Sequence, residues 1–269
     1  MAKKSIKQKT LAQNFLRSSK LVRSLLATSS IRAGDIVYEI GPGRGIITAE
    51  LARIAHQVIA IEKDPSLARG LCRRFQESGN VQIIVNDFLQ YRIPDRNYKI
   101  FANIPYNLTA EVVRKILYAS PAPGEAYLVM QKEAAEKFSG RPSESQFSIL
   151  AKPFFEIQIL RQLRRTDFEP MPSVDSVLLH IKKRDTALVR EEDALLYRRF
   201  VHYGFGTWKH SLRLTFKPIF SYEQWKHLSK DLRFPLDATP SRLTFEQWLG
   251  LFECFKQRVP RDKQTHIQR

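Results

Sequence analysis

Asp35-Ile36-Val37-Tyr38-Glu39-Ile40 runs into Gly41-Pro42-Gly43-Arg44-Gly45, and Ile46-Ile47-Thr48-Ala49-Glu50-Leu51-Ala52-Arg53-Ile54-Ala55 follows at once. The first six residues are β-rich and mostly apolar, which predicts a buried strand. Alternate glycines break it, and apolar residues at helical spacing resume over residues 46–55. Residues 57–61 supply the next strand. Moving outward, residues 65–76 read as a helix, Val81–Val85 as a third strand, 98–102 as a fourth, 109–119 as a helix and 126–130 as a fifth strand. Upstream, Ser18 or Ser19 caps a helix over residues 20–29. Such alternation predicts an α/β fold, a parallel sheet with helices on both faces.

Beyond Gly140 the pattern changes. Residues 154–163 and 174–181 read as two strands separated by Pro170 and Pro172, a hairpin closing the sheet edge. Helical patterns then cover residues 191–203, 208–216, 222–228 and 244–255, the last opened by a Thr244/Gln247 capping box. The expected organisation is a basic arm (1–23), a catalytic domain (24–183) and a small helical RNA-binding domain with a basic tail (184–269).

The strand–turn–helix around Gly41 offers unpaired backbone N–H groups to a nucleotide-like ligand. Its glycines stand at Gly41, Gly43 and Gly45, with Ile46 where the dinucleotide fingerprint has its third glycine. That wider opening suits a cofactor without a pyrophosphate. Glu62 ends the second strand 21 residues after Gly41, where an acid accepts hydrogen bonds from ribose hydroxyls. Asp87 ends the third strand, placed to accept from an adenine amine. Asp64 is read simply as a cap of the next helix.

The second feature is Asn103-Ile104-Pro105-Tyr106, at the end of the fourth strand. The lone pair of an exocyclic amine such as adenine N6 is delocalised into its ring, so methylating it requires acceptors that draw both N–H groups out of conjugation. Asn103 offers a side-chain carbonyl and Ile104 a main-chain carbonyl. Pro105 removes a donor and holds Ile104 extended. Tyr106 offers a stacking face. The bland alternative is a strand ending in an Asn-x-Pro turn.

The chain has 269 residues, 43% of them hydrophobic, and a net charge of +17. So positive a surface implies a polyanionic partner, nucleic acid first. No stretch is apolar and long enough to span a bilayer, and no secretory h-region follows the basic start. Cys72 and Cys254 form no disulfide framework or ligand cluster, so a reduced cytoplasm and no metal are expected. Residues 1–23 carry seven basic and no acidic side chains. Lys3, Lys4, Lys7 and Lys9 lead this arm, which is read as lying on a phosphate backbone. Arg164 and Arg165, together with Lys209 and Arg213 in the helical part, are further RNA-binding candidates.

Taken together, Gln13-Asn14-Phe15-Leu16, Glu39 to Gly45, Glu62, Asn86-Asp87-Phe88, Asn103 to Tyr106 and Phe168-Glu169-Pro170-Met171-Pro172-Ser173-Val174-Asp175-Ser176 resemble the rRNA adenine N6-methyltransferases. The resemblance runs from about Gln13 to Phe255. It implies a Rossmann-like sheet, a small helical C-terminal domain and S-adenosylmethionine as methyl donor. Gly204 to Lys209 and Leu243 to Phe252 look like the Erm branch, which acts on large-subunit (23S) rRNA and confers macrolide-type resistance. The Arg-Arg-Lys stretch usual in small-subunit enzymes is missing. By resemblance, Asn14 and Leu16 close over the donor, Gly41 lies under its methionine part, and Gln13, Gly43 and Phe88 complete its site. Glu62 holds the ribose, Asp87 the adenine amine, and Asn103 faces donor and target. Tyr106 and Phe168 sandwich a flipped adenine; from the residues alone Phe168 reads as an apolar anchor beside a Pro-rich turn. The expected partner is 23S rRNA before ribosome assembly, met by a monomer with no membrane or protein partner.

Three rivals remain: a small-subunit (16S) rRNA dimethyltransferase, a non-catalytic nucleic-acid-binding protein on the same shell, and a nicotinamide-dependent oxidoreductase, against which the glycine spacing argues. Deleting residues 1–9 removes four lysines and should weaken rRNA binding. It should also flatten the slope of log affinity against log salt by up to about 3. An unchanged slope in a salt titration refutes the arm's assignment.

Overall fold

The computed structural model describes residues 14–206 and 211–267. Gln13, Lys3, Lys4, Lys7, Lys9 and Lys209 lie outside them. In chain order the elements are β1 (Phe15–Leu16), α1 (Ser19–Leu26), β2 (Ile36–Ile40), α2 (Ile46–Leu51), β3 (Gln57–Glu62), α3 (Pro65–Arg74), β4 (Val81–Val85), β5 (Lys99–Asn103) and α4 (Thr109–Leu117). They continue with β6 (Glu125–Gln131), α5 (Lys132–Ser139), α6 (Gln146–Ala151), β7 (Phe155–Leu163), β8 (Phe168–Glu169) and β9 (Ser176–Lys183). The chain ends in α7 (Ala194–Phe205), α8 (Leu212–Thr215), α9 (Tyr222–Asp231), α10 (Phe245–Arg258) and α11 (Arg261–Gln264).

Seven strands form one sheet in the order β4-β3-β2-β5-β6-β9-β7. The pairs β3–β4, β2–β3, β2–β5 and β5–β6 are parallel. In β3 and β6 every residue but the termini or the first is buried, so both faces are covered, as parallel strands require. The late strands β7 and β9 lie side by side at the sheet edge. A feature the sequence did not announce is the two-residue ladder β1–β8, in which Phe15 faces Glu169 and Leu16 faces Phe168.

The chain divides into two compact units. The first holds residues up to Lys132 together with Ile159–His180. Its core gathers Val22, Leu25 and Leu26 of α1, Ile47 and Leu51 of α2, Val37, Val58, Phe101, Tyr127 and Val129 of the sheet, and Leu16 and Phe168. The second holds Glu133–Gln158 and the residues from Ile181 onward. Its core is aromatic, with Tyr197, Phe200, Phe216, Trp225, Trp248, Phe252 and Phe255 all nearly solvent-free. The polar ends of these rings are satisfied: Trp225 Nε1 donates to Leu236 O at 2.9 Å, Trp248 Nε1 to Pro240 O at 3.1 Å and Tyr197 OH to Ile149 O at 2.8 Å.

The sequence placed the boundary between the catalytic and helical domains at 183/184. The structure assigns α6 and most of α5 to the later unit because Ile149 is a fully buried member of its aromatic core. The Thr244/Gln247 capping box forms as expected. Among the described residues no helix is long and apolar enough to cross a membrane.

Candidate active site

Strand order reverses between β2 and β5: the chain works outward to β4 on one side and to β6 on the other. Such a reversal opens a crevice at the carboxyl ends of the two strands. Ile40 faces Ala102 across the β2–β5 ladder, so Gly41 and Asn103 emerge side by side at its mouth.

On the β2 side the turn is fixed by Gly41 N–H donating to Ile61 O at 3.0 Å and Gly45 N–H to Pro42 O at 2.8 Å. Gly41 has φ +63° and nothing within 4 Å of where a side chain would begin, so its backbone faces open space. Gly43 has φ +56°, and a Cβ there would meet the Phe15 ring at 2.5 Å. Phe15 thus lies over the turn, with the Arg44 guanidinium 5.0 Å from its ring centre. Glu62, 2% exposed, accepts Gly43 N–H at 3.1 Å on one oxygen and Asp64 N–H at 2.9 Å on the other. Each oxygen keeps a lone pair for a further donor. Asp64 caps α3 through Ser66 and Leu67 N–H groups, as read.

Beneath the turn sits Glu39, 1% exposed, one oxygen accepting Thr48 Oγ1–H at 2.6 Å and the other without a partner. Burial pushes its carboxyl up to about 8, with Glu62 adding to the rise.

On the β5 side, Asn103 Nδ2 donates to Asn14 O at 2.7 Å. That contact fixes the amide's orientation and leaves Oδ1 to accept. Ile104 is buried and tied by its N–H to Val129 O at 3.0 Å; Pro105 is extended with φ −56° and ψ 130°. The Tyr106 hydroxyl lies 2.8 Å from Ser176 Oγ on β9, which anchors the ring. Asn14, Phe15, Gly41 and Asn103 to Tyr106 line one cleft of about 340 Å³, part of it open to solvent.

Other expected site residues lie elsewhere. Leu16 and Phe168 face each other in the β1–β8 ladder, 4% and 1% exposed, within the core and not on the cleft wall. Asp87 accepts Lys63 Nζ at 2.6 Å and Leu89 N–H at 2.9 Å, and the Lys63 bond holds its carboxyl below the usual range. Phe88 is buried and lines a second cleft. Of the described basic candidates, Arg165 pairs with Asp175 at 2.8 Å and Arg213 with Asp237 at 2.9 Å. Both pairs are partly exposed, where an ion pair is held only weakly. The sequence reading assigned no role to Phe15, Glu39 or Ser176. All three stand inside the motifs that carry the resemblance, but their placement depends on the β1–β8 ladder, on the packing under the turn and on β9.

The residues fit an S-adenosylmethionine donor. Gly41 leaves open backbone, and Glu62 has acceptor capacity at the end of β3. Fold and site together define a Rossmann-like methyltransferase that takes its methyl group from S-adenosylmethionine.

The comparisons narrow the class. A model described as ribosomal RNA adenine dimethylase matches residues 4–257. An rRNA adenine N-6-methyltransferase of Limosilactobacillus reuteri is 32% identical over 257 residues, spanning 95% of this chain and 98% of that protein. A ribosomal RNA small subunit methyltransferase A of Nostoc punctiforme is 28% identical, spanning 91% and 93%. Among solved structures, the 23S rRNA methyltransferase ErmE superposes with a TM-score of 0.85 at 29% identity, covering 91% of this chain and 100% of that one. The chain belongs to the ribosomal RNA adenine dimethylase family and is an rRNA adenine N6-methyltransferase.

Glu39 carries a pH signature. Its proton is held up to about 8 in the folded state, against about 4.5 in the unfolded chain. The stability this provides is full below about 4.5 and is lost as pH rises through about 8. Glu39→Gln, which cannot ionise, should therefore gain melting temperature relative to the parent as pH is raised from about 5 to about 9. Parallel melting curves across that range would show that Glu39 is not held protonated.

Proposed function

We propose that this protein N6-methylates one adenine in 23S rRNA before ribosome assembly, as a cytoplasmic monomer, and thereby confers resistance to macrolide-type antibiotics. The likeness to ErmE over that protein's whole length carries the choice of 23S over 16S. The small-subunit relative at 28% identity keeps the 16S reading as the alternative.

In this reading Glu62 takes the donor's ribose hydroxyls and Asp87 its adenine amine. Gly41 and Gly43 let backbone approach the methionine part, with Asn14 and Phe15 at the rim. When bound, the donor supplies an electrophilic methyl on a sulfonium. Asn103 Oδ1 and Ile104 O accept the two N–H groups of the target amine, which returns its lone pair to nitrogen. Tyr106, braced by Ser176, stacks on the adenine. Positioning then supplies most of the rate, and no side-chain base is needed in the transfer. Extruding the base costs a few kcal/mol, and stacking on an aromatic returns roughly 1–3 kcal/mol.

Phe168 takes the adenine's second face once the two-residue β1–β8 ladder gives way; a ladder that short is held by few bonds. Arg164, Arg165, Arg213 and the basic arm grip phosphates without reading sequence.

The direct test is transfer of labelled methyl from S-adenosylmethionine to protein-free 23S and 16S rRNA, mapped by primer-extension stops. The expected result is a single stop in 23S rRNA, lost by roughly a hundredfold or more in Asn103→Ala with its melting curve intact. Label confined to 16S rRNA moves the protein to the small-subunit branch. Label in neither rRNA favours the binding-only rival. For Phe168, the Ala variant should lose rate while Tyr and Trp retain part of it; equal loss in all three leaves Phe168 a core residue only.

A further inference from the structure

The turn that follows β4 is short and self-contained: Asn86 N–H donates to Glu62 O, and Gln90 and Tyr91 N–H groups both donate to Asp87 O at 2.9 Å. Its Phe88 side chain is buried. Phe88 and Tyr91, with Tyr98, Ile116, Tyr118 and Pro121, line a cleft that opens to solvent, and of these Tyr98 and Ile116 are buried as well.

Helix α4 adds a charged tie to this turn. Lys115 Nζ donates to Tyr91 O at 2.6 Å and to Phe88 O, and lies 4.9 Å from the centre of the Phe88 ring. One ammonium thus closes the turn at both ends and stacks on its aromatic side chain. Burial lowers this ammonium's pKa, and Asp87 opposes that shift, so the cation and the Asp87 carboxylate are electrostatically linked. The helix that carries Lys115 begins three residues after the Asn103–Tyr106 tetrapeptide.

We infer that Lys115 is a positioning residue for the methyl donor: it sets the turn that presents Asp87 and Phe88, and through it the recognition of the donor's adenine ring. This rests on the assignment of Asp87 to the adenine amine. It adds a specificity-determining contact from the helix on the acceptor side of the site. A lysine that only stapled the fold would affect every ligand alike. One that sets the adenine turn affects ligands according to what they carry at the adenine's 6-position.

The test uses the full-length protein and calorimetric titration with two probes, S-adenosylhomocysteine and S-inosylhomocysteine, the second carrying an oxo group in place of the 6-amine. The parent should prefer the adenosyl compound. Lys115→Met should bind S-adenosylhomocysteine about tenfold more weakly, with most of the preference over the inosyl compound lost. Lys115→Arg should recover part of both, and binding of rRNA should be unchanged. Lys115→Gln, close in length but uncharged, gives the same readout should the Met variant fail to fold. Parent-like affinity in these variants, or equal weakening toward both probes with the preference intact, overturns the inference. Asp87→Asn separates the two levels: if it loses the preference while Lys115→Met keeps it, only the role of Lys115 fails. If Asp87→Asn keeps the preference, the assignment of the adenine turn fails, and the inference with it.

Discussion

Everything at this site depends on the reversal of strand order between β2 and β5. Parallel neighbours whose connections leave in opposite directions cannot both have a helix over their carboxyl ends, so a crevice opens there. Ile40 and Ala102 are partners in that ladder. The glycine turn and the Asn-Ile-Pro-Tyr tetrapeptide, far apart in sequence, therefore start from adjacent positions. In the proposed reaction a donor on one and an amine on the other would be brought together by backbone register rather than by flexible side chains, the arrangement a reaction limited by orientation requires.

The site's polar groups follow a common pattern. Glu62 spends one lone pair of each oxygen on backbone N–H groups of the turn and the α3 cap. Asn103 spends one amide proton on Asn14 O, and Tyr106 its hydroxyl contact on Ser176. In the proposed site each group is oriented by the protein through part of its hydrogen-bonding capacity, with the rest kept for ligand. Glu39 departs from the pattern, a fully buried carboxyl kept mostly neutral beneath the turn.

Most of the sheet was legible from the sequence because its strands are continuous apolar runs between glycine, proline and polar breaks; β4 occupies the predicted residues and β5 is offset by one. The glycine turn and tetrapeptide were legible because their chemistry is local. What escaped was set by contacts distant in sequence. The β1–β8 ladder pairs residues some 150 apart, and nothing near Phe168 signals that it will be buried opposite Leu16. Helices α5 and α6 are short, and their membership of the aromatic unit is decided by Ile149 packing among rings far along the chain. Phe15 and Lys115 act on backbone that neither adjoins in sequence.

In the proposed reaction adenine N6 is held between Asn103 Oδ1 and Ile104 O at the mouth of the β2–β5 crevice. A crystal structure of the protein with S-adenosylhomocysteine and an rRNA hairpin containing the target adenine tests it most directly. The predicted result is an extruded adenine stacked on Tyr106, its 6-amine within hydrogen-bonding distance of both oxygens and the cofactor ribose on Glu62. An adenine seated elsewhere, or a cofactor away from Gly41 and Glu62, would contradict it.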